Sequence, residues 1–109
     1  MTLREYIIQY CKDNGYELRE ESSVTSTSLY CKRLSEGVTL FISVSPTELR
    51  VRIDVVDTHQ LLCRKGAGMV AKGFHPELWQ AYLRVLIRNV VMDAFDRMTG
   101  LADIDSAEC

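Results

Sequence analysis

Hydrophobic positions along this chain change their period twice, and the changes divide it into helix, sheet and helix. Leu3, Tyr6, Ile7, Tyr10 and Cys11 recur at helical spacing and form one apolar stripe. Thr2 and Glu5 make a T-x-x-E capping box at its start, and Asp13-Asn14-Gly15 ends it with a residue suited to the left-handed cap. From Tyr16 to Arg64 the pattern alternates instead. Tyr16–Arg19 reads as a short first strand, and residues 22–26 as a polar connection or ragged strand start. In the next strand Leu29 and Cys31 oppose Tyr30 and Lys32. After a turn at Ser35-Glu36-Gly37, Val38, Leu40, Ile42 and Val44 share one face. After Pro46-Thr47-Glu48, Leu49, Val51, Ile53 and Val55 do the same against Arg50, Arg52 and Asp54. Asp57-Thr58 turns into a last strand, His59–Arg64. Hairpin-length connections make this an antiparallel meander of four to five strands.

The segment Lys65–Phe74 carries three glycines and reads as a loop. Pro76 suits a helix start, with Glu77 beside the positive end of the helix dipole. Leu78 to Met98 then runs without a breaker until Gly100. Trp79, Leu83, Leu86, Ile87, Val90, Val91, Ala94 and Met98 fill one broad stripe of this helix, the face expected on the sheet. The expectation is a single α+β domain over residues 1–100, with both helices on one face of the sheet, and a short acidic tail over 101–109.

Two surfaces stand out from that plan. Leu78, Tyr82, Val85 and Met92 fall opposite the helix's core stripe, bordered by Arg84 and Arg88 on one side and by Asp93 and Arg97 on the other. A helix on a sheet has one apolar face to bury, so a second stripe calls for cover: the 65–74 loop or α1, a second copy of the chain, or another protein. On the open sheet face the alternation places Tyr30, Lys32, Phe41, Arg50, Arg52 and Arg64. Aromatic and cationic side chains interleaved across strands are the ingredients of single-strand nucleic-acid binding, although no RNP motif is present.

Composition narrows the classes further. With 109 residues, 47% hydrophobic and 26% charged, the chain has the make-up of one globular domain. A net charge of -2 gives no global field for phosphate backbones. Met1–Glu5 carries no apolar leader and no run is long enough to span a membrane, so a cytoplasmic location is expected. Cys11, Cys31, Cys63 and Cys109 are scattered, without C-x-x-C, and read as free thiols. His59 and Cys63, four apart on a strand, are too far separated for one metal ion, and no metal or cofactor is expected. The glycine segment lacks both phosphate-loop patterns, and Asp57-Thr58-His59 lacks a nucleophile.

The functional expectation is therefore a non-catalytic protein-interaction module or small inhibitor-like regulator, self-associating, of the size such proteins have in phages and other mobile elements. The alternatives are a nucleic-acid-binding module using the basic sheet face, and a small enzyme or ligand-binding domain with a site near residues 65–75.

Overall fold

The computed structural model describes residues 1–70 and 75–103, with side chains through residue 97. Helix α1 (Leu3–Asp13) is followed by five strands, β1 (Glu17–Ser22), β2 (Thr27–Ser35), β3 (Val38–Val44), β4 (Glu48–Asp57) and β5 (Gln60–Val70). A short 3-10 turn (Pro76–Leu78) then leads into α2 (Trp79–Asp103). The strands pair in chain order, all antiparallel, as one meander. Both helices lie on the same face of the sheet, as the apolar stripes require.

The capping box forms half as expected: the Thr2 hydroxyl accepts from the Glu5 backbone N–H at 3.1 Å. Leu3, Ile7 and Cys11 of α1 are buried against the sheet, as are Leu83, Val90 and Ala94 of α2. Beneath them, Leu40, Ile42 and Val44 of β3 pair directly with Ile53, Val51 and Leu49 of β4, so six branched side chains form the floor of the core. Arg4 reaches from α1 to the β1–β2 hairpin, donating to Ser28 Oγ at 2.9 Å, Ser26 O at 3.0 Å and Glu21 Oε1 at 3.2 Å.

Three elements differ from the sequence expectation. The Lys65–Phe74 loop is strand through Val70, and residues 71–74 lie outside the described residues. Lys65, Ala67 and Met69 pair with Ile53, Val51 and Leu49 on the inner face, while Gly66 and Gly68 take the outer positions opposite Arg52 and Arg50. The alternation thus continues through the glycines. Helix α2 passes Gly100 and runs to Asp103, because an interior glycine costs only ~1 kcal/mol relative to alanine and no proline follows it nearby. Of the expected tail, residues 104–109 lie outside the described residues.

The third difference concerns β2, whose two faces are exchanged. Tyr30 is buried in the core, 5% exposed, and Leu29 and Cys31 lie on the outer face with Phe41. The cause is a bulge. The register steps from Arg33↔Thr39 to Ser35↔Val38, so Leu34 stands without a partner, and a one-residue slip turns every side chain to the other face.

Candidate functional site

On the outer sheet face the strand register builds three cross-strand rows. Leu29, Ser43, Arg50 and Gly68 are neighbours in the first, and Cys31, Phe41, Arg52 and Gly66 in the second. The third brings Thr39, Asp54 and Arg64 together. Of the six residues expected on this face, Phe41, Arg50, Arg52 and Arg64 are there. Tyr30 and Lys32 are not, for the reason given by the Leu34 bulge. Lys32 Nζ instead donates to Asn14 O at 2.9 Å and lies 5.5 Å from the centre of the Tyr16 ring, on the α1 side. Burial pushes the Tyr30 phenol above its ordinary value, with a smaller contribution from the neighbouring Cys11.

The arginines are held in place by carboxylates. Arg64 donates from Nε and Nη2 to the two oxygens of Asp54, at 2.9 and 3.0 Å. Arg52 Nε lies 3.2 Å from Asp54 Oδ1, an ion pair without a hydrogen bond. Arg50 pairs with Glu48. The Arg52 guanidinium stacks 4.3 Å from the centre of the Phe41 ring. Hydrogen bonding to Asp54, then its charge, raises the Arg64 pKa further above its ordinary value. Arg52 and Arg64 are thus paired with Asp54 and Arg50 with Glu48, and Glu20 lines the same face, so carboxylates interrupt its positive charge.

Between these side chains lies a depression of about 710 Å³, lined by Leu29, Phe41, Ser43, the three arginines, Gly66 and Gly68, and by one carboxylate, Glu20. The glycines make its terrace. A Cβ at Gly66 would stand 3.2 Å from Val51 O, and one at Gly68 would stand 3.1 Å from Leu49 O and 3.2 Å from Arg50 Cγ. Glycine in a strand commonly marks such close approach. Sequence reasoning missed Leu29, Ser43, the glycines and the holding role of Asp54. Asp54 alternates with Arg50 and Arg52 on one strand, and that spacing was a readable signal.

The second surface is the outer side of α2. Val85 and Met92 remain 44% and 55% exposed, and Leu78, in the 3-10 turn, is exposed as well. Phe95, outside the expected set, is 71% exposed and extends the apolar row. Tyr82 is half-buried, and Arg84 and Arg88 are exposed beside the row. Helix α1 lies next to α2 across a groove lined by Tyr6, Tyr10, Gln80 and Arg84, so it flanks the outer row and does not cover it.

Among the described residues, no group of three or more His, Cys, Asp or Glu side chains could hold a metal ion, and no helix is long and apolar enough to cross a membrane. No protein-family model, no curated protein and no solved structure matches this chain.

Proposed function

We propose that this chain is a non-catalytic protein-interaction module that docks through the outer face of α2, and that its first partner is a second copy of itself. The exposed row Leu78, Val85, Met92 carries the reading. Val85 and Met92 are seven residues apart and stay in line along α2, with Leu78 in the turn that leads into it, while Trp79, Leu83, Val90 and Ala94 already fill the face toward the sheet. Charge placement favours a second copy. Arg84 and Arg88 border the row on one side, Asp93 and Arg97 on the other. When two copies of α2 pack side by side and parallel about a twofold axis, opposite borders meet and Arg88 faces Asp93.

Sedimentation equilibrium tests this directly. The expected result is a dimer whose dissociation constant rises on Val85→Asp and on Arg88→Asp, with Asp93→Arg restoring association to the Arg88→Asp variant. A wild type that stays monomeric at high micromolar concentration overturns self-association.

A further inference from the structure

The depression on the outer sheet face lies on the opposite side of the molecule from α2, and it combines three features that α2 docking does not use. We infer that it is a binding site for a compact phosphate ester carried on a planar ring, of mononucleotide size. The anion is recognised by the guanidinium groups of Arg50, Arg52 and Arg64, and the ring stacks on the Phe41–Arg52 layer.

The first feature is preorganisation. Asp54 occupies Nε and Nη2 of Arg64 and sits beside Nε of Arg52. A guanidinium has five N–H donors, so both arginines keep terminal donors beyond those Asp54 engages. A carboxylate that fixes two arginines beside a concavity lowers the entropy cost of holding an anion there. The pairing that interrupts the positive charge of this face thus leaves donors for one localised anion.

The second feature is flatness. Arg52 lies on Phe41 at 4.3 Å, and the guanidinium face turned away from that ring can stack on a second planar group. Beside it Gly66 and Gly68 present bare backbone, where a Cβ would crowd Val51 O, Leu49 O and Arg50 Cγ. The third feature is size. About 710 Å³ falls within the usual range for small-ligand sites, and Ser43 adds a hydroxyl to the lining.

Amide NMR with named probes tests the inference. AMP and UMP should each produce saturable shifts centred on Gly66, Gly68, Phe41 and Arg52, with Kd at or below about 1 mM. Ribose 5-phosphate and inorganic phosphate, which lack the ring, should bind at least about tenfold more weakly, the loss expected for one stacked base. Arg50→Gln and Arg64→Gln should each weaken AMP about tenfold or more, as loss of a hydrogen bond to a charged group does. Phe41→Leu should weaken AMP while leaving inorganic phosphate nearly unchanged. Thermal melting of each variant separates lost binding from lost fold, and Arg50→Gln, at an exposed position, is the variant for which the fold is least at stake.

Val85→Asp should leave AMP binding unchanged, which separates this site from the α2 reading. No saturable shift with either nucleotide overturns the inference. So does a short single-stranded oligonucleotide that binds more tightly than AMP with steep salt dependence, because that result assigns the face to a strand and not to a small ester.

Discussion

The ring of Tyr6 on α1 meets the ring of Trp79 at the start of α2, with centroids 5.7 Å apart and planes inclined at 56°. This contact spans the groove between the two helices. Trp79 is the chain's single tryptophan and is buried. Trp79→Ala should cost about 3–5 kcal/mol through the cavity it leaves. A double-mutant cycle with Tyr6→Leu should give a coupling of about 0.5–1.5 kcal/mol, the size of an aromatic pair beyond its buried area. Urea denaturation followed by circular dichroism measures both, and zero coupling would show that the ring contact contributes nothing of its own.

The two faces of α2 should respond in opposite ways. Leu83 is fully buried and faces the sheet, so Leu83→Ala should lose about 2–5 kcal/mol. Val85, two residues on, faces away. In a monomer Val85→Asp should change stability by no more than about 0.5 kcal/mol, as exposed substitutions do. Chemical denaturation at a dilution where both proteins are monomeric compares them, and a large loss at Val85 would show that its own chain covers it.

Helix α2 was legible because its burial repeats over many turns, so the period alone separates Trp79, Leu83 and Val90 from Val85 and Met92. Strands β3 and β4 were legible because their large aliphatic residues from Val38 to Val44 and from Leu49 to Val55 fall on one side. Strand β2 carries Leu29 and Cys31 on one side and Tyr30 on the other, so alternation left its orientation to the register, and the register turned on the unpaired Leu34. No local pattern marks that bulge. Strand β5 was cut short at Arg64 because glycine is a poor strand former in isolation. Here the two glycines sit opposite two arginines, a reason that exists only once β4 and β5 are paired. The Arg64–Asp54 ion pair is of the same kind, since Arg64 reaches Asp54 from the neighbouring strand.

The β4–β5 hairpin turns through Thr58 and His59, at φ 51° and 65°, with Asp57 paired to Gln60 across them. Two consecutive positive φ values are the signature of a type I′ turn, which favours Asn-Gly. A β-branched threonine in this region is strained. Replacing the pair by Thr58→Asn and His59→Gly should therefore raise stability by about 1 kcal/mol or more. Thermal unfolding measures it, and an unchanged or lower midpoint would contradict the strain.

Alkaline pH should weaken the fold first through Cys11. Its side chain is buried between α1 and the sheet, and burial pushes the thiol from an ordinary 9.0 up to about 12. Below pH 9 the thiol is protonated in both folded and unfolded chains, so its contribution to stability is fully present. Above that, the unfolded chain releases the proton while the folded chain keeps it, and stability falls until the folded thiol ionises near 12. The slope from one such group is at most about 1.4 kcal/mol per pH unit. Tyr16 and Tyr10, also raised mainly by burial from an ordinary 10.0, add to the decline at higher pH. Cys11→Ala should cost some stability at neutral pH, yet its stability should stay flatter than that of the wild type between pH 9 and 10. Urea midpoints across that window decide the matter, and equal slopes for the two proteins would remove Cys11 as the cause.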